Sequence, residues 1–210
     1  MPGYAGVGYI RIEMVIKGID LLEKLYYNKQ LTFAYLTCER LYPNYVHFSR
    51  KFEFGDEVIL RSAIDFIYNS LLIPISPNQK DVEWHLNQVE LNTPNTEDFS
   101  TILVSSALDS CTAILEALDF ILDKETSRLR SISSFATDTV DMFIQYRDDL
   151  DFNSDPQFDQ KIFNDPLMQR EINAQEGIIS YLREIDILEP MDITNLLSFQ
   201  NNDDKSNIDL

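Results

Sequence analysis

Glycine, cysteine, histidine and tryptophan are all scarce in this chain, at six, two, two and one of 210 residues. So few glycines, together with a lack of β-branched runs, argue against a sheet with many tight turns. The two cysteines, Cys38 and Cys111, each fall on the apolar face of a predicted helix. They read as small buried hydrophobes with free thiols. The two histidines, His47 and His85, lie far apart, with no cysteine or carboxylate at a usual ligand spacing. His-Glu-x-x-His and Cys-x-x-Cys are both missing, and Glu83-Trp84-His85 has the wrong spacing for a di-iron Glu-x-x-His pair. No metal and no cofactor is expected. Also missing are a Gly-x-Ser-x-Gly elbow, a glycine-rich phosphate loop and any run near the ~20 apolar residues that a membrane span needs.

Positive charge is the other deficit. Seventeen Lys and Arg face 35 Asp and Glu, for a net charge of −18. The imbalance is local: residues 1–80 hold nine basic and eight acidic residues, and residues 81–210 hold eight and 27. Such a surface repels a phosphate backbone, whose binding rests on Lys and Arg, and it repels an anionic membrane for the same reason. Nucleic acid and membrane are therefore excluded as partners. The acidity keeps the chain solvated, and it would suit a basic protein partner.

What is present is apolar material at helical spacing. An apolar fraction of 44 % and 23 Phe and Tyr residues supply a globular core. Residues 1–11 contain Gly3, Gly6 and Gly8 without periodicity and read as a flexible leader. The helical pattern begins near Met14, a candidate translation start, and no secretory signal is visible, so a cytoplasmic location is expected. Ile12 to Tyr26 shows a helical stripe. A second helix carries Leu31, Ala34, Cys38, Leu41 and Tyr45, with Pro43 either kinking or ending it. Asp56 is placed to cap the next helix, with Leu60, Ile64, Ile67 and Leu71 on its stripe. Asp81 to Leu91 is a shorter helix, and Asn92 to Thr96 is a turn-rich connection. Val104, Leu108, Cys111, Leu115, Leu118 and Leu122 step 4-3-4-3-4 as a bundle seam. Helices with Leu129 to Phe143 and with Met168 to Leu182 follow, and Pro190 to Phe199 adds a short one. Between them, Asp149 to Asp155 opens like a calcium loop, but Ser154 stands at the turn glycine and Gln160 at the closing glutamate, so a solvated linker is expected. Residues 200–210 are polar and read as a disordered tail. The expectation is an all-α, single-domain bundle of about six to eight helices over residues 12–199.

The densest chemistry lies in Cys38-Glu39-Arg40-Leu41-Tyr42-Pro43-Asn44-Tyr45-Val46-His47-Phe48, followed by Phe54-Gly55-Asp56. Tyr42, Tyr45 and Phe48 recur every three residues, an aromatic stripe on a helix whose hydroxyls need partners. Cys38 and His47 could be imagined as a thiol–imidazole pair, although Pro43 between them leaves their geometry unfixed. Glu39, Arg40, Tyr42, Asn44 and Tyr45 form the candidate ligand or partner surface, with Asp109 facing it from the central helix. The alternative reading is a helix–kink–helix corner docked on the core.

At this block the chain resembles the family called domain of unknown function 416, the YjaG-like bacterial proteins. The resemblance runs through Phe33 to Tyr45, Phe48 and Phe54-Gly55-Asp56, continues over Leu60 to Leu72, and includes Ala107-Leu108-Asp109-Ser110-Cys111. It covers roughly residues 21–199. The resemblance implies a bacterial all-α fold with no agreed activity and no catalytic residues to transfer. The acidic stretch Asp148 to Asp165 departs from it.

Read together, these features point to a protein-binding or regulatory module without catalysis. An acidic inhibitor or immunity-type protein would need the carboxylates ranged on one face. An enzyme would need a pocket near Tyr42 and Asp109. A homodimer is open, because a bundle stripe can pack within one chain or across two.

Overall fold

A single 26-residue helix carries the aromatic and charged block in one piece. The computed structural model describes residues 16–72, 77–200 and 205–210, and within these the chain is all-helical, without a strand. The helices are α1 (Ile19–Leu22), α2 (Tyr27–Phe52), α3 (Glu57–Leu72), α4 (Gln79–Leu91), α5 (Leu103–Asp123), α6 (Ser127–Arg147), α7 (Phe158–Asn164), α8 (Pro166–Glu184) and α9 (Pro190–Gln200), with a 3-10 turn at Thr96–Asp98. The leader assigned to residues 1–11 and the start at Met14 lie outside the described residues, as do residues 201–204.

Pro43 does not end α2. Its missing N–H and its ring typically cost a helix interior about 3 kcal/mol. Burial on several sides offsets that: residues 29–38, 41, 44, 45, 48 and 49 are all buried. The helix packs against α3, α5, α6, α8 and α9, and its pairing with α5 is the most extensive in the fold. Tertiary contact thus overrides a local breaker.

α5 is the second central helix. Ala107, Cys111, Ile114, Leu118 and Ile121 are buried along it, together with Ser106, Ser110, Ala113 and Ala117. The expected seam is only half right, since Val104, Cys111 and Leu118 are buried while Leu108 and Leu115 are half-buried and Leu122 is exposed. Small residues on the remaining faces let neighbouring backbones approach, so α5 is surrounded on most sides. The three residues between α5 and α6 make an antiparallel neighbour.

Three further differences from the sequence reading have local causes. The stripe from Ile12 to Tyr26 does not make one helix: Gly18 takes a left-handed φ of 91°, and among the described residues only Ile19–Leu22 is helical before α2 begins. The acidic stretch contains α7, whose seven residues are too few to show a period in sequence. It is rooted by Phe158 and Ile162 in a second apolar cluster with Val140, Ile144, Met168 and Ile208. Lastly, residues 205–210 are not a disordered tail. Ser206, Asn207 and Ile208 are buried, and the Ser206 N–H donates to the Leu210 carbonyl at 3.0 Å.

Candidate functional site

Glu39, Arg40, Tyr42, Asn44 and Tyr45 each point to a partner inside the fold. Glu39 receives a two-pronged pair from Arg61 on α3, at 2.8 and 2.7 Å. Arg61 also binds Asp65 at 2.9 Å, and its guanidinium lies over the Tyr42 ring, 5.2 Å from the centroid. The Tyr42 hydroxyl donates to the Glu57 carbonyl at 3.1 Å, and burial raises its pKa. Glu39, Tyr42 and Arg61 are therefore a seam between α2 and α3, partly open to solvent.

The residue next to Glu39, Arg40, turns about 100° around the helix and faces α8. Its guanidinium grips Glu171 on α8 in a fork at 2.9 and 2.7 Å, with 7 % and 0 % of the two side chains exposed. Burial, the largest single influence, raises the Glu171 carboxyl, but the Arg40 charge together with the hydrogen bonds from Arg40, Gln175 and Asn207 outweighs it and holds the group below its usual value. Gln175 donates to Glu171 at 2.8 Å and accepts from Ser133 on α6 at 2.5 Å. A chain of polar contacts therefore crosses the interior from α2 through α8 to α6. Planar Arg–carboxylate forks are favoured where such a pair must be desolvated, because both oxygens are satisfied at once.

Asn44 extends this network to residues 205–210. Its amide donates to Asn207 Oδ1 at 3.0 Å, and Asn207 in turn donates to the Ala136 carbonyl at 2.9 Å. The Asn207 carbonyl accepts from Arg170 at 3.0 Å. Asn44 Oδ1 is left buried without a hydrogen bond. Tyr45 has no exposed surface and donates to the Asn92 carbonyl at 2.9 Å. Asn92 completes that joint: its side chain accepts from the Asp56 N–H at 2.8 Å and donates to the Gln88 carbonyl at 2.8 Å. Asp56 caps α3 by accepting from the Val58 N–H at 2.9 Å, as its place after Gly55 suggests.

Asp109 does not join the block. It faces α6, where the Thr139 hydroxyl donates to it at 2.8 Å. The next residue, Ser110, turns about 100° around the helix and reaches α2 instead, 2.8 Å from the Leu41 carbonyl and equally near that of Ser106. Burial pushes the Asp109 carboxyl up to about 7; the Thr139 hydrogen bond opposes this and Asp138 adds to it. Thr139 also lines a cavity of about 10 Å³ with Ser106, Met142 and Ile208, room for about one water. The thiol–imidazole idea fails on geometry. Nine residues apart on one continuous helix, Cys38 and His47 stand on opposite faces. Cys38 is wholly buried, and burial raises its thiol far above reactive values. Cys111 is buried too, its thiol pushed up to about 12.

The predicted site residues on α2 thus fall into three groups, with Asp109 apart from all of them against Thr139. Arg40 and Asn44 belong to the α2–α6–α8 network, Glu39 and Tyr42 to the α2–α3 seam, and Tyr45 to the Asn92 joint. The partners Arg61, Asn92, Glu171 and Asn207 were not singled out from sequence. Gln175 is a polar residue buried on α8 beside the apolar Met168, Ile179 and Leu182. The family model described as "Protein of unknown function (DUF416)" matches residues 19–210. The chain belongs to the DUF416 family. It is 29 % identical to "Uncharacterized protein YjaG" of Escherichia coli (strain K12), over 78 % of this chain and 80 % of that protein. An "Uncharacterized protein" of Haemophilus influenzae is 26 % identical over 86 % of this chain and 88 % of its own length. The crystal structure of a DUF416 family protein from Shewanella baltica OS155 superposes with a TM-score of 0.82 at 28 % identity, covering 91 % of this chain and 97 % of that one. Among the described residues of this DUF416 chain, no helix is long and apolar enough to cross a membrane. Nor does any group of three or more His, Cys, Asp and Glu side chains there have the placement to hold a metal ion.

Proposed function

We propose that this DUF416 protein works by binding another protein rather than by catalysis at the block on α2. The observation that carries this reading is the internal commitment of the block's polar groups. Arg40 is bound to Glu171, Asn44 to Asn207, Tyr45 to the Asn92 carbonyl and Glu39 to Arg61. A general acid or base must reach a substrate proton, and groups held this way serve the fold first.

An enzyme built around Asp109 is the competing reading, favoured by its raised pKa. The cavity beside Thr139, at about 10 Å³, is far too small for an organic substrate, which needs roughly 300 Å³ or more. A binding role fits better with a surface that is acidic and carries large apolar side chains, such as Trp84, Leu91 and Phe163, in contact with water. A partner with basic residues around an apolar patch complements it.

The test is capture of partners by the tagged full-length protein from a bacterial lysate at low salt. A discrete, stoichiometric basic protein that is released as salt rises is the expected result, since screening weakens charge pairing. No specific partner at low salt overturns the reading.

A further inference from the structure

The acidic stretch between α6 and α8 forms an open groove of about 540 Å³. Its walls include three phenylalanines, Phe152, Phe158 and Phe163, with Asp155, Asp159 and Gln160 among them. Phe158 is the fixed wall: it is buried, belongs to the second apolar cluster, and meets Phe152 edge-to-face at 5.4 Å between centroids. Phe152 and Phe163 keep 37 % and 44 % of their surface in water. Exposed phenylalanines grouped in one concavity are uncommon on a surface with no partner.

The chemistry of the rim says what fits. Neither lysine nor arginine lines the groove, and two carboxylates do. Asp155 is turned inward by its own loop, accepting from the Gln157 N–H at 2.9 Å and from Lys161 at 2.5 Å, so the groove is held in shape from behind. Asp148, Asp149 and Asp151 stand just before it in the chain, and Arg147 is paired with Asp148 and Asp165. The local field is negative over aromatic faces, an arrangement that attracts cations as well as apolar groups. Two anions on the rim disfavour an acidic or purely apolar occupant.

From this charge and shape complementarity we infer that the groove on α7 receives a cationic amphipathic segment of a partner protein. An apolar side chain of that segment enters between Phe152 and Phe163, and flanking Lys or Arg residues meet the acidic rim at Asp159, Asp155 being already paired with Lys161. The inference rests on the partner-binding reading and gives it a place and a chemistry.

Fluorescence anisotropy tests it on the full-length protein. One labelled helical peptide carries Leu and Phe on one face and Lys on the other; a control of equal charge has Ser in place of Leu and Phe. The amphipathic peptide is expected to bind at least about tenfold more tightly than the control, since one buried large apolar side chain accounts for that much. The double variant Phe152→Ala/Phe163→Ala, whose substituted side chains are part-exposed, is expected to lose the same factor with an unchanged circular dichroism spectrum. Asp159→Asn is expected to weaken binding and flatten its salt dependence. Equal binding of the two peptides, equal binding to the double variant, or no binding to the native chain overturns the groove. Self-association that the same substitutions abolish, without peptide binding, assigns the groove to a second copy and overturns the cationic occupant. If the double variant still captures a lysate partner, the groove fails while partner binding stands. If the peptide binds but no lysate partner exists, the general reading fails on its own.

Discussion

The hydroxyl of Tyr45 occupies the space that a side chain on Gly55 would need. Gly55 sits in the four-residue turn between α2 and α3 with a left-handed φ of 65°. A Cβ there would overlap Tyr45 Oη and come within 3.2 Å of Asn92 Oδ1. The glycine and the tyrosine, ten positions apart, are one device. The absent side chain lets the hydroxyl pass to the Asn92 carbonyl, and that bond ties the end of α4 to α2.

Gly55→Ala is therefore expected to destabilise the protein by about 2–4 kcal/mol, combining the cost of an L-residue at positive φ with overpacking. Tyr45→Phe alone is expected to cost about 1 kcal/mol for the lost hydrogen bond. In the double variant the overlap is gone and only the backbone strain and the lost hydrogen bond remain, so the two effects combine to less than their sum. Urea denaturation of the four proteins of the cycle measures this. Strict additivity would show that Tyr45 is not what restricts position 55.

Much of this was legible in sequence, for identifiable reasons. Asp56 announces a helix cap because that role depends only on local backbone chemistry. The stripes of α3, α6 and α8 were readable because each helix buries one face. The seam of α5 was not, because Ser106, Ala107, Ser110, Ala113 and Ala117 are buried on faces that a pattern of large apolar residues ignores. Continuity of α2 through Pro43 depends on tertiary burial, which no window around Pro43 reports. The candidate site suffered most. Arg40 could be marked as notable, but its partner Glu171 lies 131 positions away, and only the fold brings them together. Asn207 gave no signal at all, sitting in a polar stretch that reads as solvated.

The Arg40–Glu171 pair is expected to behave as a buried unit. Glu171→Gln leaves a guanidinium in the interior without its counter-charge, at a cost of about 3–5 kcal/mol. Arg40→Met strands the carboxylate and is expected to cost a similar amount. The double variant Arg40→Met/Glu171→Leu removes both charges and should be markedly more stable than either single one. The pH dependence has a definite sign. Glu171 is held below its usual value in the folded state, so the pair's contribution is present above about 4.5 and fades as pH falls below it. Denaturant melts at several pH values check both points. A double variant no better than the worse single one would mean that the pair acts through packing and not charge.

Asp109 carries the opposite sign. Its folded pKa, about 7, lies above its ordinary 3.8, so the folded state holds the proton more tightly than the unfolded one. The protein is favoured by this group at low pH, loses stability as pH rises between those two values, and shows no further change from it above about 7. Asp109→Asn keeps an acceptor for the Thr139 hydroxyl and removes the charge. The substitution is expected to stabilise the protein by about 1–3 kcal/mol near pH 8 and to change little near pH 4. Thermal melts of the two proteins across that range provide the measurement, and the gap between their curves should open with a midpoint set by Asp109. A constant gap would mean that the carboxylate stays ionised throughout, with water reaching it past Thr139. A loss of stability at high pH would go further. The charge at Asp109 would then be holding α5 to α6, and its burial would favour the folded state rather than oppose it.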